Sequence, residues 1–164
     1  MDIYIFAAFS GTGKTTYLEK LIPHLKGYGL QVAVLKHDAH DFAADTPGKD
    51  SWRFAQAGAD AVAVSSDRRT AMFYQHSLSV EELLSRLPEV DIVLTEGYKH
   101  GPFPKIAVHR KEAGEALAAD LSACLALVTD DGALAASAPC PVFPLEDAEP
   151  LARLLLRRYE EGRT

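Results

Sequence analysis

The chain has 164 residues, 48% of them hydrophobic, and its 17 Lys and Arg against 23 Asp and Glu leave a formal net charge of −6. This length and composition predict one domain over residues 1–164 with a substantial core, while the acidic balance argues against nucleic acid or an anionic membrane as the main partner. No export signal and no apolar run of the roughly 20 residues that span a bilayer is visible. We therefore expect a cytoplasmic protein in which Cys124 and Cys140 stay reduced.

A glycine-rich stretch near the start of the chain lies between a predicted strand and a predicted helix. The apolar run from Ile3 to Phe9 predicts a short buried strand, and apolar residues at helical spacing predict a helix from Thr15 to Lys26. Strand, glycine-rich turn and helix in this order are typical of a P-loop, whereas an ordinary βα turn is the alternative. The stretch reads Ala8-Phe9-Ser10-Gly11-Thr12-Gly13-Lys14-Thr15-Thr16.

A P-loop assigns a role to each part of this stretch. Backbone N–H groups from Gly11 to Thr15, a range that includes Thr12 and Gly13, would surround a phosphate at the positive end of the helix. Ser10 and Thr16 would complete the binding segment on either side. Lys14 would reach the β- and γ-phosphates, and the Thr15 hydroxyl would bind Mg²⁺. Ala8 replaces the first glycine of the strict pattern, which preserves close approach but disfavours a positive φ.

The second strand ends in a polar segment. Residues 31–36 predict a buried strand, and a strand, helix and strand in sequence predict a right-handed parallel βαβ unit. Ligands of such sheets gather at the carboxyl ends of the strands, so Lys36 and His37 are candidates for nucleotide contacts. The run from His37 to Asp41 holds two His and two Asp. It is compatible with a polar loop beside a Mg-nucleotide, a solvated loop or, with fewer ligands than usual, a zinc site.

The middle of the chain predicts short elements with fewer chemical signals. Asp50 or Ser51 is expected to cap a helix that ends near Gly58. Residues 61–65 and 71–74 predict strands, and Arg68 and Arg69 in the turn between them either hold an anion such as a phosphate or a pterin, or lie in solvent. The sequence from Ser79 to Glu82 predicts a capping box before a helix that ends near Pro88.

A later strand delivers a carboxylate to the expected ligand edge. Residues 91–95 predict a buried strand that leads into Glu96 and Gly97. A carboxylate beside a P-loop can hold Mg²⁺ through water or orient an attacking water. We therefore predict Lys14 and Glu96 as the catalytic pair and Thr15 with Glu96 as the metal ligands, the alternative being a strand-end acid without a ligand.

The carboxyl-terminal part predicts three more strands and two helices. Strands are expected at residues 105–109 and 123–128, and a last short one between Pro139 and Pro144, with Asp147 capping the closing helix. Asp130 is a candidate acceptor for guanine N1–H and its 2-amino group, although a cap for a helix over 132–137 is an equal alternative. The order of elements predicts an α/β fold of P-loop NTPase type, a three-layer sandwich with a mostly parallel central sheet flanked by helices.

Taken together, the motifs resemble the MobB family, the adaptors of molybdopterin-guanine dinucleotide biosynthesis. The resemblance rests on the P-loop stretch and on Leu35-Lys36-His37-Asp38-Ala39-His40-Asp41, Pro47-Gly48-Lys49-Asp50-Ser51, Ala57-Gly58-Ala59 and Leu94-Thr95-Glu96-Gly97-Tyr98-Lys99-His100. It implies a homodimeric GTP-binding protein with weak GTPase activity. Such a protein would assist a MobA-type guanylyltransferase that attaches GMP to molybdopterin, with GTP and Mg²⁺ as cofactors.

Two other classes share the P-loop. A small-molecule kinase using ATP or GTP commonly closes an Arg-rich lid over its acceptor, and beyond residue 110 the basic residues of this chain are few. A metallochaperone GTPase would draw on the His and Asp loop, but His- or Cys-rich delivery tracts are missing from the sequence.

Overall fold

The computed structural model describes residues 1–37, 42, 44–114 and 116–163. Contacts divide the chain into two compact units, one from residues 1–37 and 88–164 and the other from residues 38–87. A single domain over residues 1–164 stays a prediction. In chain order the elements are β1 (Asp2–Ala7), α1 (Lys14–Gly27), β2 (Val32–Lys36), α2 (Asp50–Gln56), β3 (Ala61–Ser65), β4 (Thr70–Tyr74), α3 (Val80–Arg86), β5 (Ile92–Glu96), β6 (Lys105–His109), β7 (Cys124–Thr129), α4 (Gly132–Ser137), β8 (Val142–Pro144) and α5 (Glu149–Glu161).

A six-stranded sheet forms the centre of the first unit. Its strand order is β2-β5-β1-β6-β7-β8, and each of these neighbouring pairs is parallel. The carboxyl ends of the strands therefore share one edge, where β1, β2, β5, β6 and β7 each end. The predicted parallel sheet is confirmed.

Alternating side chains of the strands fill a core on each face of the sheet. On one face, Phe6 and Leu94 pack with apolar residues of α1 and α5, including the fully buried Leu21 and Leu155. On the opposite face, Leu127 belongs to a smaller cluster that α4 and the segment before β7 cover. Two helical layers around a sheet make the predicted three-layer sandwich.

Two cysteines belong to the smaller cluster or pack against it. Cys124 is buried and Cys140 is half-buried, and both are free. Burial raises the pKa of each thiol, and for Cys124 the neighbouring Cys140 adds to the effect. Both groups are thus kept in the protonated thiol form at neutral pH.

The second unit contains an antiparallel hairpin and two short helices. β3 pairs with β4 from Ala61 opposite Tyr74 to Ser65 opposite Thr70. In the turn, the Ser66 amide donates to the Arg69 carbonyl, and the side chains of Arg68 and Arg69 are exposed. The turn arginines thus lie exposed in a hairpin turn, and both predicted alternatives, contact with an anion or with solvent, stay open.

Of the two helix caps predicted in this unit, one is confirmed and one is wrong. The capping box at Ser79 is present, since its hydroxyl accepts from the Glu82 amide and the Glu82 carboxylate accepts from the Ser79 amide. The predicted cap at Asp50 or Ser51 is wrong, because α2 begins one residue earlier and Lys49 occupies the cap position without a side-chain bond. Asp50 instead lies in the first turn, where its charge still favours the helix dipole.

Two further boundaries differ by one or two residues from the expectation. β1 ends at Ala7, and Phe9 is 45% exposed in the loop that follows. Ala148, not Asp147, is the cap residue of α5, although the Asp147 carboxylate accepts from the Glu149 amide at 3.0 Å.

None of the described helices has the length and hydropathy to cross a membrane.

Candidate nucleotide-binding site

The glycine-rich loop between β1 and α1 contains two glycines in the left-handed region of backbone conformation. Gly11 and Gly13 adopt φ values of 80° and 84°, which a side chain would disfavour. Thr12 is buried, and its hydroxyl donates to the Phe9 carbonyl at 3.0 Å, which closes the loop on itself. Ala8 is not among the described residues with positive φ, so alanine costs nothing there.

The loop leaves the first amides of α1 available to an anion. Gly13 is the cap residue and has no side chain to accept a hydrogen bond, while its carbonyl accepts from the Tyr17 amide at 2.9 Å. The N–H groups of Lys14, Thr15 and Thr16 have no acceptor within the helix, as in any first turn. With the dipole of a 14-residue helix behind them, these groups suit a phosphate. Ser10 and Thr16 are exposed at this end of the helix.

Glu96 comes to the same place from the neighbouring strand. β5 pairs with β1 so that Glu96 stands opposite Phe6, close to the start of the loop. The Thr15 hydroxyl lies 3.2 and 3.3 Å from the two carboxylate oxygens of Glu96, and the Lys14 ammonium lies 3.6 Å from one of them. The side chains of Lys14 and Glu96 are only 14% and 16% exposed. The structure thus brings together the three residues that the sequence nominated.

This donor set fits a hard divalent cation. A hydroxyl and a carboxylate are oxygen ligands of the kind that Mg²⁺ accepts, and Mg²⁺ commonly takes only one or two protein ligands beside phosphate oxygens and water. Among the described residues there is no cluster of three or more His, Cys, Asp or Glu that could hold a metal by itself. Thr15 and Glu96 would therefore hold the ion together with a nucleotide.

The end of β2 packs closely against the segment after Glu96. The His37 amide donates to the Glu96 carbonyl at 2.7 Å, and the His37 and Tyr98 rings lie 4.9 Å apart. A Cβ on Gly97, whose φ is 95°, would lie 2.8 Å from the His37 carbonyl. Gly97 therefore permits this close backbone contact. Tyr98 also has a positive φ, 47°, and burial raises the pKa of its hydroxyl.

The other candidates at the end of β2 differ in what the structure shows. Lys36 stands opposite Glu96 in the ladder, with an exposed side chain. Asp38, His40 and Asp41 lie outside the described residues, so the predicted roles of that loop stay open. Lys99 lies over the Phe9 ring, 5.9 Å from its centroid.

The two aspartates after β7 have separate partners. Asp131 caps α4, accepting from the Ala133 and Leu134 amides at 2.9 and 3.3 Å, and the pKa of its carboxyl is lowered, most of all by the bond from Leu134. Asp130 is exposed and accepts from the Lys111 amide at 2.7 Å. The helix cap is therefore Asp131, and the guanine contact of Asp130 stays a prediction.

Arg110 is a residue of this site that the sequence analysis missed. It follows β6 directly, and its Nε lies 3.5 Å from the Thr12 carbonyl oxygen. A Cβ built on Gly13 would lie 3.0 Å from Arg110 Nη2. The sequence signal that could have identified Arg110 is its position just after a predicted parallel strand, at the edge of the sheet where ligands gather.

Similarity to known proteins identifies the family of the chain. Residues 3–130 match the model of the family described as molybdopterin guanine dinucleotide synthesis protein B. The chain belongs to this family. The match spans the glycine-rich loop, Glu96, Arg110 and Asp130, and so includes every candidate site residue named above.

Individual relatives are named for the same biosynthesis. The chain is 43% identical over 120 residues to the molybdopterin-guanine dinucleotide biosynthesis adapter protein of Escherichia coli, covering 70% of this chain and 69% of that protein. The Haemophilus influenzae adapter protein is also 43% identical, over 108 residues that span 63% of this chain and 61% of the relative. The crystal structure of Bacillus subtilis MobB superposes with a TM-score of 0.77 at 28% identity, over 97% of this chain and 98% of that one.

Proposed function

We propose that the chain is a GTP-binding adaptor of molybdopterin-guanine dinucleotide biosynthesis that holds GTP and Mg²⁺ at the P-loop. The observation that carries the nucleotide site is the position of the Glu96 carboxylate, 3.2 Å from the Thr15 hydroxyl at the amino end of α1. Family membership supports the pathway. It also favours an adaptor over a small-molecule kinase.

Different residues of the site would bind the phosphates and the Mg²⁺ of a nucleoside triphosphate. The P-loop amides and the Lys14 ammonium would bind the phosphate oxygens, and Lys14 is already oriented by its ion pair with Glu96. Thr15 and Glu96 would hold Mg²⁺, whose charge offsets the negative charge of the β- and γ-phosphates.

Glu96 has a second role in slow hydrolysis of GTP. Its carboxylate can accept a hydrogen bond from a water and orient it toward the γ-phosphate, while Lys14 stabilises the charge that develops. The site therefore supports a weak GTPase activity, consistent with a protein whose main task is to bind and present a nucleotide.

The partners form part of the same proposal. The named relatives are adapter proteins, and we propose that this chain acts in the cytoplasm as a homodimer beside a MobA-type guanylyltransferase that joins GMP to molybdopterin. Lys36, His37 and Asp130 are proposed as further nucleotide contacts, with Asp130 selecting guanine through its carboxylate.

A calorimetric titration of the purified chain tests the nucleotide site. We expect GTP to bind more tightly than ATP and binding to depend on Mg²⁺. Lys14→Ala should abolish GTP binding, and Glu96→Ala should weaken the dependence on Mg²⁺. The matched control is Lys20→Ala, which removes a lysine of the same helix that bonds to Glu146 instead. GTP affinity that is unchanged in Lys14→Ala would refute the site.

Base selection has its own test. Asp130→Asn replaces the acceptor with an amide and should lower the ratio of GTP affinity to ATP affinity. An unaltered ratio would place guanine recognition elsewhere in the chain.

A further inference from the structure

The guanidinium of Arg110 lies against the P-loop from the neighbouring strand. β6 pairs with β1, with Ala107 opposite Ala7, so the chain beyond β6 runs beside the loop beyond β1. Arg110 places its Nε 3.5 Å from the Thr12 carbonyl oxygen and its Nη2 3.0 Å from the position of a Cβ on Gly13. The absence of a side chain at Gly13 thus makes room for this approach.

The Arg110 charge has no carboxylate partner among the residues that the structure describes. Its described polar contact is the long bond to the Thr12 carbonyl, which uses one of the five N–H donors of a guanidinium. Lys14, in contrast, is paired with Glu96 at 3.6 Å. The planar fork of Arg110 therefore keeps donors for a further acceptor.

The electrostatic balance around the loop favours an anion as that acceptor. The positive end of α1, the Lys14 ammonium and the Arg110 guanidinium converge here, and the carboxylate of Glu96 lies beside Lys14. An unpaired guanidinium beside a helix N-terminus is electrostatically unfavourable by itself. A polyphosphate, which carries several negative charges, complements all three positive groups.

The backbone on both sides of Arg110 is held in place. Buried His109 contacts the Thr129 hydroxyl through Nδ1 at 3.0 Å and donates from Nε2 to the Gly114 carbonyl at 2.9 Å. On the other side, the Lys111 amide donates to Asp130 at 2.7 Å. These bonds anchor the backbone of Arg110 to the end of β7 and so hold the base of its side chain beside the loop.

We propose that Arg110 contacts the phosphate chain of the bound nucleotide, acting from within the same chain beside Lys14. The inference rests on the proposed nucleotide site and adds a second cationic ligand to it. An arginine suits this position because its fork can donate two parallel hydrogen bonds to one phosphate, which a lysine cannot do.

The test measures affinities for GTP, GDP and inorganic tripolyphosphate in wild type, Arg110→Ala and Arg110→Lys. Arg153→Ala is the matched control, since it removes an arginine of α5 that pairs with Glu149. In Arg110→Ala we expect all three ligands to bind roughly 10- to 100-fold more weakly, the size of one lost charge-assisted contact. Arg110→Lys should recover part of the loss, and the melting temperature without ligand should match that of wild type.

Each contrary outcome has a separate meaning. Arg110→Ala that binds GTP as well as the Arg153→Ala control would overturn the inference. A loss of affinity accompanied by an equal loss of stability without ligand would also overturn it, because Arg110 would then brace the loop. Wild-type protein that binds none of the three ligands would instead refute the proposed nucleotide site itself.

Discussion

Alanine substitution at the two glycines of the P-loop separates backbone strain from contact with Arg110. Gly11 and Gly13 have nearly the same positive φ, 80° and 84°. An added Cβ at Gly11 would meet nothing within 4 Å, whereas one at Gly13 would lie 3.0 Å from Arg110 Nη2. Gly11→Ala is therefore a matched control that carries the strain without the contact.

The expected cost of stability is similar for both variants. An alanine held in the left-handed region costs about 1–2 kcal/mol, and in a chain of this size that lowers the melting temperature by roughly 2–8 °C. The Arg110 contact adds little, because the atom that must move is the far end of a flexible side chain. Urea unfolding should place the two variants within about 0.5 kcal/mol of each other.

Ligand binding should distinguish the two variants. Gly13→Ala displaces the Arg110 guanidinium, so it should weaken GTP binding more than Gly11→Ala does. This difference should vanish when both substitutions are made in an Arg110→Ala background. Wild-type stability in Gly13→Ala would refute the assigned backbone conformation, and a GTP-affinity difference that survives without Arg110 would refute the assigned contact.

Three further predictions concern the scaffold. Leu21→Ala, in the fully buried face of α1, should lower the free energy of unfolding by about 2–5 kcal/mol in a urea titration, and a loss below about 1 kcal/mol would contradict this packing. Ser79→Ala removes the α3 cap and should cost about 1 kcal/mol, which Ser79→Asp should largely restore in the same assay. The pKa of Asp91 is lowered first by the Gln31 amide, which donates at 2.7 Å, and then by the Tyr159 hydroxyl. The stabilising effect of the Asp91 carboxylate is thus present at neutral pH and lost as the pH falls through the folded pKa. The melting temperature of Asp91→Ala should therefore be lower than that of wild type at pH 7 and should fall less on acidification. Parallel profiles of melting temperature against pH for the two proteins would refute this.

Local patterns were sufficient for most of the fold. The buried strands have continuous apolar runs because helices cover both faces of a parallel sheet, and such runs are recognisable without a structure. Ser79 with Glu82 likewise predicted a helix start correctly, since a capping box involves only residues within one turn. The predicted cap at Asp50 was wrong because an acidic residue suits both the cap position and the first turn of a helix, and only the backbone geometry distinguishes the two.

The site was predictable to the extent that its residues lie within recognisable motifs. Glycines before a lysine and a threonine at a strand–helix junction predicted the P-loop. The position of Glu96 at the end of a predicted strand indicated its role. Arg110 belongs to no such motif. Its relation to Thr12, 98 residues earlier in the chain, arises from strand pairing alone.

The sequence by itself determined which segments are strands and helices, where the glycine-rich turn lies and which family the motifs resemble. These are properties of neighbouring residues, because apolar periodicity and glycine positions act over one or two turns of chain. Tertiary structure alone decided that Thr15 and Glu96, 81 residues apart, lie within hydrogen-bonding distance. It also decided that Arg110 reaches the glycine-rich loop after β1. Such contacts depend on the order and register of parallel strands, which no local pattern specifies.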